Sequence, residues 1–470
     1  MANGKRYFPN PYFFVGIGGS GMMPLATILA GRGARVEGSD RSLDAGRVPA
    51  KFDALRALGV VLHPQDGSGV VSPDQIVVAS AAIEETVPDF ARARALGCRQ
   101  MTRAELNAEL FNAAPVSIGV AGTSGKSTVT GMIAWILHAC GRDPTVMNGA
   151  VMTNFATGAA PFASALVGSG DIYVSEVDES DGSIALYRPT VAVLNNVSRD
   201  HKELAELRDL FGGFFMRAYW TVYNCDEPEA AALGRSYSDG CYLTFGIDNP
   251  ADLRADNIVQ SPTAVSFDLI DPDGRAWPVR LQVPGRHNVS NALAAIGAAA
   301  GAGIELAEST RALESFTGLS RRFELIGEAG GVTVLDDFGH NPDKIAATLA
   351  TLRAFPGRLL MLFQPHGYGP LRQLRHELAR AFADGMAADD VLVLPDPAYF
   401  GGTVTREVGS GDLADDISRL GREARHIADR EEAAATLVAA ARPGDRIVVM
   451  GARDDTLGQL ARAMLARLGG

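Results

Sequence analysis

Ten consecutive residues, Gly119-Val120-Ala121-Gly122-Thr123-Ser124-Gly125-Lys126-Ser127-Thr128, follow an apolar strand-like run and open a helical pattern. Backbone N–H groups of such a turn and of the helix start converge on an anion. The lysine adds a point charge, and the next hydroxyl can hold a magnesium ion. The strict phosphate-loop pattern wants Gly at 120; Val120 there, with Gly119 one residue early, makes this a shortened variant. A plain glycine turn would need neither the Gly-Lys-Ser run nor its place before a helix.

Two further apolar runs end in polar residues that suit the same chemistry. Asp171–Ser175 leads to Glu176-Val177-Asp178-Glu179, and Thr190–Leu194 leads to Asn195-Asn196-Val197-Ser198-Arg199-Asp200-His201. In a parallel sheet ligands sit beyond the carboxyl ends of the strands, so Lys126, Ser127, Glu176 and His201 are expected on one edge, in the arrangement that magnesium-assisted phosphoryl transfer needs. An acidic loop can equally be a solvated helix cap, and a lone histidine is often structural; their placement favours a site.

Upstream, Gly16-Ile17-Gly18-Gly19-Ser20-Gly21 follows the strand-like Tyr12–Val15, and Asp40 ends the next strand pattern, Ala34–Glu37. The turn lets a pyrophosphate approach backbone amides, whichever nucleotide carries it. Downstream, strand-like runs end in Asp336-Asp337-Phe338-Gly339-His340-Asn341-Pro342, in Gln364-Pro365-His366-Gly367-Tyr368, in Asp396, and in Gly451-Ala452-Arg453-Asp454-Asp455, which suggests a second ligand-facing edge. Asn341 before Pro342 is expected to cap a helix.

Positioning these residues takes three successive blocks of alternating strand and helix patterns, hence an α/β fold with parallel sheets. The expected domains are 1–113, Rossmann-like; 114–319, P-loop ATPase-like; and 320–470, Rossmann-like again. Between Thr244 and Pro284 the pattern is rich in strands and turns, with Asp273-Gly274 reading as a hairpin. At 470 residues the chain exceeds one core. Its net charge of −12 disfavours a nucleic-acid partner, so an anionic small ligand must be held by local charges and amides. No apolar run spans a bilayer, no leader is evident at the polar start, and Cys98, Cys140, Cys225 and Cys241 lack metal-site spacing; a cytoplasmic enzyme, monomer or homodimer, is expected.

Taken in order, Gly122–Ser127, Glu176–Asp181, Asn196–His201, Gly285–Asn291, Arg321–Glu324 and Asp336–His340 resemble the motifs of the Mur ligase family, from Gly16 to about Asp455. The resemblance implies an ATP-dependent ligase with magnesium that joins the carboxylate of UDP-N-acetylmuramate to an amine through an acyl phosphate. Gly16–Met22, Glu37–Asp40 and Asp178–Gly182 look most like members that add L-alanine. Ala134–Leu137 and Asp336–Phe338 look closer to members that reattach a recycled peptide.

By that resemblance Gly122, Thr123, Ser124, Gly125, Lys126, Ser127 and Thr128 bind ATP, with Lys126 on the transferred phosphate and Ser127, Glu176 and His201 organising magnesium. His287, Asn288 and Asn291 lie near the base, and Arg322 and Asp337 reach ATP from the third block. Gly16, Gly18, Ser20, Gly21, Asp40 and Ser80 would hold the UDP moiety, and His340 and His366 are further substrate-binding residues. Four positions depart from the alanine-adding pattern: Ser124 replaces His, Ser127 replaces Thr, Asn341 breaks a His-His-Pro run, and Gly367 stands where Arg is usual. A polyglutamate-type ligase with another acceptor fits many of the same residues. A nicotinamide-dependent oxidoreductase built on the first block would leave Lys126, Glu176 and His201 without a role.

Overall fold

Apolar runs become central strands because a parallel strand covered on both faces has no polar side to show. In the computed structural model, which describes residues 8–80, 86–158, 160–198, 202–238, 240–398, 406–452, 454 and 456–469, three sheets follow one another along the chain. Tyr12–Val15 is the centre of the first, flanked by Val36–Ser39 and Val61–His63 on one side and by Ile76–Ala79 and Gln100–Thr102 on the other, all parallel. The second sheet has ten strands. Val116–Ala121 lies at its heart between Val191–Leu194 and Ile172–Glu176, parallel to both. Its far end carries the antiparallel pair Val265–Ile270 and Ala276–Leu281 around the Asp273-Gly274 turn.

Helix Lys126–Ala139 packs against the alanine-rich helix Arg286–Gly301. The small residues of the latter let it lie close on the sheet: a Cβ at Gly297 would sit 2.9 Å from Val222 and one at Gly301 2.9 Å from Trp220. The third sheet runs Glu324–Ala329, Val332–Asp337, Arg446–Gly451, Leu359–Gln364, Val391–Leu394, Glu423–His426, and only the first pair is antiparallel. Asn341 caps the helix Pro342–Arg353 by accepting from the Lys344 N–H at 3.0 Å, with Pro342 supplying a first helical residue that has no N–H to satisfy.

By contacts the chain forms two compact units, the first holding the first two sheets and the second the third. Residues 1–259, 265–282 and 286–318 form one unit, and 260–264, 283–285 and 319–470 the other. A buried polar network ties the first two sheet regions together. From the helix Arg103–Asn112, Asn107 donates to Ser175 Oγ at 3.0 Å and to the Tyr187 hydroxyl at 2.9 Å, and it accepts from the Tyr173 hydroxyl at 2.8 Å. Every polar atom of that amide has a partner, so the low dielectric around it strengthens the contacts. Among the described residues all four cysteines are free thiols, and no helix is long and apolar enough to cross a membrane.

Candidate active site

Strand Val116–Ala121 delivers the chain into Gly122, at φ 130°, and the turn ends at Gly125, at φ 85°, from which the helix Lys126–Ala139 starts. Only glycine meets both demands at 125. The φ lies in the left-handed region, and a Cβ would collide with Asn195 Nδ2 and come within 2.7 Å of Asn291 Oδ1. Asparagines at the end of the neighbouring strand hold the turn in shape. Asn196 accepts from the Ser124 N–H at 2.8 Å and donates to the Ser124 carbonyl at 3.0 Å, while Asn195 donates to that carbonyl at 3.1 Å and to Asn291 Oδ1 at 3.1 Å. Asn291 donates on to Asn288 at 3.1 Å, so both lie buried beneath the loop, whereas His287 is exposed. Thr123 exchanges hydrogen bonds with the backbone of Ser198.

Lys126 curls back over the turn. Its ammonium donates to the Gly122 carbonyl at 2.7 Å and to Glu179 Oε2 at 2.9 Å. Burial alone would lower the Lys126 pKa, but the carboxylates of Glu179, Asp178 and Glu176 outweigh it and hold the lysine charged above its ordinary value. Burial likewise pushes the Asp178 carboxyl up, and Lys126, with the hydrogen bonds from Ser180, brings it below the usual carboxylate range. Ser127 donates its hydroxyl to Glu176 Oε2 at 2.8 Å, and Asn148 ties down the Ser127 carbonyl at 3.0 Å. The approach of Glu176 is made possible by Gly149, where a Cβ would run into Glu176 Oε1.

Ser127 and Glu176 offer the hard oxygen donors that magnesium takes. Among the described residues no group of three or more His, Cys, Asp or Glu side chains is placed to hold a metal. His201 lies outside the described residues, as do Arg199 and Asp200.

At the first sheet, Asp40 turns its carboxylate toward its own backbone: Oδ2 accepts from the Gly18 N–H at 2.9 Å and Oδ1 from the Ser42 N–H at 2.7 Å. Buried Lys51, which sequence patterning did not single out, donates to the Gly18 carbonyl at 2.8 Å. Acid and lysine together fix the N–H and the carbonyl of one residue, Gly18, in the Gly16–Gly21 turn. Ser20 is exposed there, and Ser80 follows the neighbouring strand Ile76–Ala79 at the same edge.

The second unit carries its own cluster at strand ends. Asp337 is consumed in shaping the backbone: it accepts from the N–H of Phe323 and of Gly339, each at 2.9 Å, and from the Thr348 hydroxyl at 2.8 Å. Arg321 and Phe323, at φ 60° and 52°, bracket Arg322, whose guanidinium lies 4.2 Å from the centre of the Phe338 ring. Non-glycine residues in that region are strained, and such strain concentrates where a loop must present a side chain. His340 shares Nδ1 with the Phe338 carbonyl at 2.8 Å and stands edge-on to His366 at 5.0 Å between ring centres. Burial, with Lys344, His366 and Arg322 nearby, pushes the His340 pKa down to about 3. Its imidazole is therefore neutral at pH 7, with Nδ1 as donor and Nε2 as acceptor.

Geometry thus brings Lys126, Ser127 and Glu176 to one edge with the loop residues, and groups Arg322, Asp337, His340 and His366 at another. Sequence patterning placed Glu179, Asn195 and Asn196 at polar strand ends without foreseeing that they set these side chains, and it did not single out Asn148 or Gly149. Glu179 was findable as the last acid of the Glu176–Glu179 run. Gly149, far from any motif, carried no signal.

Three family models match in order along the chain: the Mur ligase family catalytic domain over residues 11–114, the Mur ligase middle domain over 120–299, and the Mur ligase glutamate ligase domain over 321–453. The chain is 35% identical over 457 residues to the UDP-N-acetylmuramate–L-alanine ligase of Rhodospirillum rubrum, covering 94% of this chain and 92% of that protein. With the ligase of the same name from Synechococcus sp. it shares 37% over 465 residues, 97% of this chain and 87% of that one. The crystal structure of the UDP-N-acetylmuramate–alanine ligase of Thermotoga maritima superimposes with a TM-score of 0.81 at 25% identity, covering 97% of this chain and 99% of that one. Identity sustained over nearly the whole length of full-length relatives, on a fold with the same three sheet regions, establishes that the chain belongs to the Mur ligase family of ATP-dependent amide ligases.

Proposed function

We propose that this ligase joins the lactyl carboxylate of UDP-N-acetylmuramate to the amine of L-alanine, converting ATP to ADP and phosphate. The observation that carries the reading is the convergence of Lys126, Ser127 and Glu176 at the ends of two adjacent parallel strands, on a chain 35% identical to ligases named for those substrates. Residues 1–113 would take the nucleotide sugar, 114–319 ATP, and 320–470 the amine.

Loop amides from Gly122 to Ser127 bind the triphosphate, and Lys126 exchanges the Glu179 carboxylate for the γ-phosphate as charge builds on it. Ser127 and Glu176 would hold a magnesium ion, with His201 the third residue implied by the family, and the bound ion neutralises charge on the phosphates. A carboxylate oxygen of the acceptor attacks the γ-phosphorus as the bond to ADP breaks, giving an acyl phosphate. The amine then adds to the acyl carbon, and the tetrahedral adduct expels phosphate while the nitrogen loses its proton. His340, neutral and with Nε2 free to accept, has the right protonation state for a contact with that amine.

A recycled peptide is the second reading for the amine, favoured by one feature: Gly367 adopts φ 147°, a glycine conformation that offers no side chain to an amino-acid carboxylate. A phosphate-release screen with UDP-N-acetylmuramate against single amino acids and the recycled tripeptide tests both. Release with L-alanine supports the first reading and release with the tripeptide alone the second. Equal ATP turnover without the acceptor refutes both.

A further inference from the structure

We infer that Arg103 is the cation that binds the diphosphate of the nucleotide-sugar acceptor at the Gly16–Gly21 turn, an inference resting on the reading of the acceptor as a UDP-sugar. Arg103 is the first residue of the helix Arg103–Asn112, which the reciprocal capping of Thr102 and Glu105 fixes in place. Its side chain lies across Gly21. A Cβ on Gly21 would stand 2.8 Å from Arg103 Cδ and 3.1 Å from both Nε and Nη1. Gly21 itself has an ordinary backbone, with φ −97° and ψ −16°, so what its missing Cβ provides is room for the arginine side chain to lie close over the turn.

Among the described residues Arg103 makes no hydrogen bond or ion pair, and its influence reaches Asp178 and Tyr187 only through the field. An unpaired, half-buried arginine is unusual, and its planar fork of donors matches phosphate oxygens. Beside it the turn offers amides: the N–H groups of Gly19, Met22 and Met23 close onto the Gly16 and Gly19 carbonyls, whereas those of Ser20 and Gly21 have no backbone partner among the described residues. No acidic residue occupies the first turn of the helix Met22–Gly31. In a chain of net charge −12, a dianionic diphosphate needs such a local cation.

Binding of UDP and of uridine, measured by calorimetry on the full chain, separates this role from a structural one. For Arg103→Ala and Arg103→Gln the Kd for UDP should rise about 10- to 100-fold, with Arg103→Lys in between, while uridine, which lacks the phosphates, binds as it does to the wild type. In turnover the KM for UDP-N-acetylmuramate should rise and the KM for ATP stay level. Unchanged UDP affinity in the Ala and Gln variants, or equal loss of UDP and uridine, would overturn the assignment while leaving the UDP-sugar reading intact. A wild type that binds neither UDP nor UDP-N-acetylmuramate would overturn both.

Discussion

Replacing Lys126 with methionine should damage stability and catalysis through different partners, and the two effects can be pulled apart. In the free enzyme the ammonium is held 2.9 Å from Glu179, whose side chain is 9% exposed, with the Asp178 and Glu176 carboxylates acting on it as well. Removing one partner of a nearly buried pair leaves the other charge unpaired, a loss of about 3 kcal/mol. For a unit of this size that corresponds to a fall in Tm of roughly 5 °C. On the proposed mechanism turnover should drop by about 100-fold or more, because that mechanism has Lys126 meet the transferring phosphoryl group. Adding Glu179→Gln removes the stranded carboxylate, so the double variant should regain most of the lost Tm and none of the activity. Thermal unfolding and phosphate release on the wild type, each single variant and the double variant read this out. A single variant with wild-type Tm would show that Glu179 does not depend on the lysine. A double variant with restored turnover would show that Lys126 has no part in phosphoryl transfer.

Gly149→Ala should fold normally, since the Cβ meets only the flexible end of Glu176, but it pushes that carboxylate off Ser127; the magnesium concentration for half-maximal turnover should rise about 10- to 100-fold, and an unchanged magnesium titration would remove Glu176 from the metal site. His340, with a folded pKa of about 3 against an unfolded value near 6.5, takes up its proton only in the unfolded chain as pH falls from 6.5 toward 3, so it contributes stability above pH 6.5 that is lost across that window. Between pH 6 and 4 the unfolding free energy of His340→Leu should therefore fall less steeply than that of the wild type, by about 1.4 kcal/mol per pH unit, in urea titrations. Parallel slopes would mean that His340 is protonated in the folded protein.

Fold and chemistry were legible in the sequence to different depths. Runs such as Tyr12–Val15, Val191–Leu194 and Leu359–Gln364 announced themselves because central parallel strands are apolar on both faces. Glu324–Ala329 did not: it is an antiparallel edge strand with Leu325 48% exposed, and its Glu-Leu-Ile-Gly-Glu-Ala pattern has no period to read. Strand ends pointed to the right edge, since parallel pairing of Val116–Ala121 with its neighbours forces Lys126 and Glu176 together. What an acid at such an end does cannot be read from its position. Asp40 and Asp337 spend their oxygens on backbone N–H groups, Glu179 takes the lysine, and Glu176 takes the hydroxyl, although all four follow apolar strands. Pairings of that kind depend on side-chain reach across the fold, and so does the fit of Arg103 over Gly21.

The central claim is that triphosphate cleavage and amide formation are joined through one acyl phosphate, and isotope transfer tests it most directly. UDP-N-acetylmuramate carrying 18O in both carboxylate oxygens, turned over with ATP and L-alanine, should deliver one 18O to each phosphate released and leave the other in the new amide. Phosphate released without label would contradict the account, because the oxygen that attacked phosphorus would then not have come from the acceptor.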